Sequence, residues 1–267
     1  KSYKNIKLNI IITGSHLSKQ FGYTYKEILN DNFKNNFKIK IFSSRKSEVA
    51  NAAAKAIDKI SKKIKKIKPD IVVIVGDRYE MFSAAFASLV NRIPIAHIHG
   101  GETTYGAFDD ALRHSITKMS TWHFVANPIY KKRVIQLGEN PQNVFITGGL
   151  GVDAIKKSKI ISRKDLEKKY KFTFNKKNLL ITYHTETLSK NYGLKGLKNL
   201  LKVLSELKNT NFFFTMPNSD TGNEKIEKMI KKFKRSRKKF TVITPSFGRV
   251  IYFSLLKNVD AVIGNSS

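Results

Sequence analysis

Short apolar runs alternate along the chain with longer amphipathic stretches. Residues 5–13 (NIKLNIIIT) are β-branched and apolar and stop at Gly14, which predicts a strand entering a loop, and residues 37–42 alternate as a second strand. From Ser47 to Lys66 a long helix is predicted, because Ile57, Ile60, Ile64 and Ile67 recur every three or four positions and form one apolar stripe. Pro69-Asp70 ends it. The run IVVIV at 71–75 is apolar throughout, as in a parallel-sheet strand buried on both faces. A helix is then predicted over 79–91, a strand over 94–98, a helix over Asp109–Met119, a strand over Trp122–Val125, a helix opened by Pro128, and a strand over 144–147 that meets Gly148-Gly149.

After Ser158 a lysine-rich connection with a short helix leads to a strand at 179–183. The alternation then resumes: helix 194–208, strand 212–215, helix 224–234, strand 240–243, helix 249–257, strand 261–263. Such alternation predicts an α/β chain of two Rossmann-like domains, 1–157 and 158–267, whose strand carboxyl ends face one cleft in the GT-B manner. The chain stops at GNSS directly after a strand, where a loop should enter a helix, so the second domain is expected to be incomplete.

Composition narrows the function classes. At 267 residues and 41% hydrophobic, the chain can fill two domain cores. It has no cysteine, which excludes disulfides, a thiolate nucleophile and Cys-based metal sites. No apolar run is long enough to cross a bilayer, and the first residues lack a signal-peptide pattern, so a soluble, cytoplasmic protein with no membrane partner is expected. The net charge of +30 suggests an anionic partner. Yet only nine of the fifty basic residues are arginine, and lysine, asparagine and isoleucine are inflated together, as in an A+T-rich genome. Nucleic-acid binding is therefore set aside in favour of a small anionic substrate. The KKIKKIK segment reads as the solvated face of its helix rather than a membrane-surface helix.

Candidate chemistry concentrates in residues 76–123, which hold four of the six histidines. Asp77 and Arg78 follow IVVIVG at once and so stand at a strand's carboxyl end. There a carboxylate can take a proton or hold a sugar hydroxyl, and an arginine can clamp a phosphate; a helix cap with a surface arginine is the plainer alternative. His97 and His99, two apart, are expected on one strand face, with Glu102 just beyond. That spacing occurs in metal sites, but nothing else completes a ligand set, so the histidines are expected to be packed and satisfied, with Glu102 the stronger functional candidate. Of Asp109 and Asp110, one is expected to cap its helix and the other to act as a base near Arg113 and His114. His184 ends the first strand of the second domain. Asn218 and Asp220 in MPNSDTGN, Ser246 and Arg249 in PSFGR, and Ser266 and Ser267 in GNSS follow later strands, the last pair where a pyrophosphate would meet a helix N-terminus. GGLG at 148–151 reads as a phosphate loop or a plain turn. No nucleophile elbow, Walker loop or GxGxxG follows the first strand.

The motifs GDRYEM, HIHGGETTYGAFDDALRHSITKMSTWHF, ITYHTET, MPNSDTGN and GNSS, in that order, resemble the UDP-N-acetylglucosamine 2-epimerase family, specifically its hydrolysing branch. That branch supplies sugars for sialic- and legionaminic-type acids. The resemblance implies a UDP-sugar substrate between two domains, anti elimination of UDP across C1–C2 of a 2-acetamido sugar, and hydration of the glycal to a free N-acetylmannosamine-type sugar. It implies no metal or redox cofactor, and a homo-oligomer, dimer or tetramer. By motif, Asp77, one of Asp109 and Asp110, and His184 are catalytic candidates with Glu102 beside them. Arg78, Asn218, Ser266 and Ser267 would contact the nucleotide, and His99, Arg113 and Asp220 complete the substrate-binding candidates. Two departures stand out: some members carry Glu where this chain has His99, and the family opens with a strand and a TGTRAD-type loop, whereas this chain opens at what reads as the second strand. A GT-B glycosyltransferase is the alternative enzyme, and a polycationic nucleic-acid-binding protein the non-enzyme reading.

Overall fold

The computed structural model describes residues 5–31, 33, 36–42 and 48–265. They form two compact units, one of Lys1–Leu17 with Ile28–Val152 and one of Ser18–Glu27 with Asp153–Ser267.

In the first unit β1 (Ile10–Thr13) pairs in parallel with β2 (Asn36–Ile39); the short helix α1 (Tyr25–Asn30) between them in sequence has its first half, through Glu27, in the second unit. The long helix α2 (Val49–Ile67) follows; its predicted opening at Ser47 lies outside the described residues. It buries Ala52, Ala56, Ile60 and Ile64, four residues apart, against Ile39, Ile41, Tyr79 and Ala87. Lys68 then takes a left-handed conformation (φ +49°) before Pro69, which cannot continue a helix. A separate parallel sheet of four strands runs β3 (Val72–Val75), β4 (Ile95–Ile98), β5 (Trp122–Val125), β6 (Val144–Ile146), with α3 (Tyr79–Val90), α4 (Asp109–Met119) and α5 (Pro128–Gln136) between them. Asn127 caps α5 by accepting from the Tyr130 amide at 3.0 Å, and Pro128 occupies the first turn, where its missing N–H is not needed.

Ile74, His97, His123 and Val144 lie side by side across this sheet, and all are buried. The opposite face differs from expectation. Val73 and Val75 are 59% and 45% exposed, and Phe145 beyond them is 43% exposed, so β3 is not buried on both faces. An apolar run reports a strand; whether a second layer covers its far side depends on what packs there.

The helix α6 (Leu150–Lys157) begins inside GGLG at the end of the first unit and enters the second at Asp153, so that motif opens a helix the sequence pattern did not suggest. After α7 (Arg163–Tyr170), capped by Ser162, come β7 (Lys177–Thr182), α8 (Leu194–Glu206), β8 (Thr210–Thr215), α9 (Asn223–Ser236), β9 (Thr241–Thr244), α10 (Gly248–Asn258) and β10 (Ala261–Gly264). The parallel sheet has the order β10-β7-β8-β9; its middle strand β8 is buried on both faces, whereas the edge strand β10 leaves Val262 53% exposed. Phe212 and Phe214 pack with Leu197, Leu201, Ile226 and Ile230 of α8 and α9, while Phe213 between them packs with Leu166, Ile251 and Leu255 of α7 and α10. The period-two alternation of strand side chains thus explains three consecutive phenylalanines.

Candidate functional site

In the first unit the polar residues gather where β3 and β4 end. Gly76, at φ +81°, turns the chain off β3 and delivers Asp77. The N-cap of α3 is Arg78, so Asp77 is not spent as a helix cap. Its carboxylate instead accepts a hydrogen bond from the buried Arg113 of α4. The same Arg113 Nη2 donates to Thr104 Oγ1 at 3.0 Å, and Arg113 Nη1 lies 3.9 Å from Asp110. Burial pushes the Asp77 carboxyl above the usual carboxylate range, outweighing the pull of the Arg113 and Arg78 guanidiniums; the nearby Glu102 charge adds a smaller push. A carboxylate so held can accept a proton and return one.

Arg78 Nε donates to Glu80 Oε2 at 3.2 Å. Glu80 is 4% exposed, and its carboxylate lies so close to Gly14 that a Cβ there would sit 2.4 Å from it. Sequence reasoning passed over Glu80, although it stands three residues beyond Asp77 inside the quoted motif.

The loop after β4 corrects one expectation. The strand ends at Ile98, and His99 takes φ +66°, so alternation does not carry on to place His97 and His99 on one face. His97 is fully buried between Gly76 O and Thr117 Oγ1, whereas His99 Nδ1 meets Glu102 Oε1 at 2.6 Å. No group of three or more His, Asp and Glu side chains that could hold a metal occurs among the described residues. A second correction concerns α4. Its N-cap is Phe108, and Asp110 reaches back to accept from the Thr104 amide at 2.8 Å, which ties the loop to the helix; His114 Nε2 lies 3.6 Å from its other oxygen. Asp109 occupies the first position of the helix.

In the second unit the sheet reverses its winding between β7 and β10, the kind of point where α/β proteins bind ligands. His184 follows β7 and Asn265 follows β10. The His184 amide donates to Asn265 Oδ1 at 2.8 Å, and Asn265 Nδ2 donates to His184 O at 2.9 Å, so the two strand ends are clamped reciprocally. Thr182 and Thr215 hydroxyls bond each other at 2.8 Å beneath, and the Asn218 amide lies 3.5 Å from His184 Nδ1. Asp220 is buried at the turn into α9, and Asn223 Nδ2 donates to the Asn218 carbonyl at 2.8 Å. Ser246 closes its own loop by accepting from the Gly248 amide at 3.1 Å, and Arg249 stands in the first turn of α10. Ser266 and Ser267 lie outside the described residues. Asn265, in the same GNSS motif, was legible only as their neighbour.

These constellations can be set beside known proteins. The model of the UDP-N-acetylglucosamine 2-epimerase family matches residues 1–267. The chain belongs to that family. It is 42% identical over 99% of its length to the GDP/UDP-N,N'-diacetylbacillosamine 2-epimerase (hydrolyzing) of Campylobacter jejuni, covering 69% of that protein. It is 36% identical to the polysialic acid biosynthesis protein P7 of Escherichia coli, with 98% and 67% of the two chains covered. A UDP-N,N'-diacetylbacillosamine 2-epimerase (hydrolyzing) of Legionella pneumophila is 31% identical, with 99% and 70% covered. Among solved structures, a UDP-GlcNAc 2-epimerase from Neisseria meningitidis bound to UDP-GlcNAc superposes with a TM-score of 0.81 at 20% identity, covering 99% of this chain and 71% of that one. At that identity the likeness carries the fold: two Rossmann-like domains of GT-B type.

Proposed function

We propose that this epimerase-family chain is a hydrolysing 2-epimerase of a UDP-2-acetamido sugar, acting in the cytoplasm to release UDP and a free N-acetylmannosamine-type sugar. The observation that carries the reading is 42% identity, spread over 99% of the chain, to a relative named as a hydrolysing 2-epimerase. The site chemistry agrees with it. A base removes the C2 proton, the C1–O bond to UDP breaks, and the glycal forms. Water then adds its oxygen at C1, while a proton returns to C2 from the opposite face. Asp77, with its raised carboxyl pKa and fixed orientation, suits the proton exchange at C2. Glu102, bonded to His99, and the Asp109/Asp110 pair are the groups that would hand on the second proton and orient water. Arg113 supplies positive charge to the sugar side, and Arg78 to the phosphates of the nucleotide. His184 is the catalytic candidate of the second unit, with Asn218, Asp220, Ser266 and Ser267 on the nucleotide side.

The Campylobacter and Legionella relatives favour a 4-acetamido-6-deoxy sugar of the diacetylbacillosamine type over UDP-GlcNAc. The protein is to be incubated with each UDP-sugar alone in D2O. Release of UDP with a C2-inverted, C2-deuterated free sugar is the expected result. Failure to turn over either sugar unless an acceptor is added would sink the reading in favour of a glycosyltransferase.

A further inference from the structure

We propose that His97 is a positioning residue for Asp77, acting through the Gly76 carbonyl, and that the Thr117 hydroxyl and the bare α-carbon of Gly100 complete the device. The proposal rests on the reading of Asp77 as the group that exchanges the C2 proton.

The Gly76 carbonyl shares a peptide plane with the Asp77 amide. Whatever fixes that plane therefore fixes the backbone from which the Asp77 side chain springs, while Arg113 holds its carboxylate. Gly76 has φ +81° and no atom within 4 Å of where a Cβ would lie, so local packing does not hold it. Two hydrogen bonds do: its amide donates to Ile98 O at 3.0 Å, and its carbonyl accepts from His97 Nε2 at 2.8 Å.

A carbonyl can only accept, so Nε2 carries the hydrogen. Burial holds the imidazole pKa down at about 4, and the neutral ring then has Nδ1 as its acceptor. Nδ1 faces Thr117 Oγ1 at 3.2 Å. Gly100 packs against this contact: a Cβ on it would come 3.0 Å from His97 Nδ1 and 3.1 Å from Thr117 Oγ1. Thr117 stands one turn beyond Arg113 on α4. Arg113 in turn grips the Asp77 side chain. The backbone and the side chain of Asp77 are thus both referred to one turn of α4. His97 itself is 0% exposed, so it acts through Gly76 rather than on a bound molecule directly.

Imidazole 15N NMR of the intact protein is expected to show His97 as the Nε2–H tautomer, neutral down to about pH 5. A ring that protonates near 6.5, or one carrying its hydrogen on Nδ1, overturns the proposal. In kinetics with the UDP-2-acetamido sugar that the wild type hydrolyses, His97→Leu is expected to lower kcat roughly 10- to 100-fold at nearly unchanged KM, as misplacing a catalytic group does. It should also move the acidic limb of the kcat–pH profile. His97→Gln, which keeps an N–H of similar reach, is expected to recover most of the loss. A folded His97→Leu enzyme with wild-type kcat and pH limb, or a glutamine variant no better than leucine, overturns the proposal. Asp77→Asn is measured alongside. Full turnover in that variant would remove the base assignment and the positioning role with it, whereas failure of the His97 readouts with Asp77→Asn inactive removes the positioning role alone.

Discussion

Asp77 is pulled two ways: burial favours its neutral form, and the Arg113 guanidinium favours the charged one. Because burial prevails, the acidic limb of kcat should lie above the usual carboxylate range, rates falling as pH drops through it. Asp77→Asn is expected to cost roughly 10²- to 10⁴-fold in kcat, the ordinary worth of a positioned acid–base group, with the fold intact by circular dichroism. The buried histidines give a separate pH signature. His97 and His123 both have pKa values lowered chiefly by burial, so as pH falls the unfolded chain takes up protons before the folded one. Stability should therefore fall as pH drops from about 6.5, by at most about 1.4 kcal/mol per pH unit for each histidine. For His97 the loss runs down to about 4. Denaturant titrations between pH 7 and 5 read the slope, and His97→Gln should remove its share. Asp77, Glu102 and Asp110 could be picked out in the sequence as carboxylates near strand and helix ends. Which arginine holds Asp77 could not, because Arg113 is thirty-six residues away and only packing brings them together.

Elements were more legible than sites. The helix over Asp109–Met119 and the strand over Trp122–Val125 stand where periodicity put them. The strand predicted over 5–13 shortens to Ile10–Thr13, because apolar composition marks a strand without saying where its partner stops. The turn between β4 and α4 carries its own test. Gly101 has φ +78°, and a Cβ on it would lie 2.5 Å from the Tyr130 carbonyl. Gly101→Ala combines left-handed strain with overpacking against α5 and is expected to destabilise the protein by about 2 kcal/mol or more in urea denaturation. At the other sheet, Asn265→Ala removes both bonds between the ends of β7 and β10. Hydrogen exchange at the His184 amide should then speed up, while amides in the middle of β8 stay protected.

For the molecule as a whole, the charge of +30 acts at long range. If it serves to gather an anionic sugar nucleotide, kcat/KM should fall several-fold between roughly 50 and 500 mM salt, with kcat little changed, because screening weakens encounter and not chemistry. A kcat/KM indifferent to salt would show the charge to be compositional only. No helix among the described residues is long and apolar enough to cross a membrane. Alternating apolar and amphipathic segments determined the α/β class, and short motifs in a fixed order carried the resemblance to the family, since both rest on local order along the chain. Tertiary structure alone decided the rest: β1–β2 stand apart from the four-stranded sheet, β3 leaves one face open, and His97 and His99 part company at a left-handed turn. It also decided that Asp77 is held by Arg113 and by a buried histidine through its backbone. Pairings of this kind join residues twenty to forty positions apart, and no pattern within a helix turn or a strand repeat encodes them.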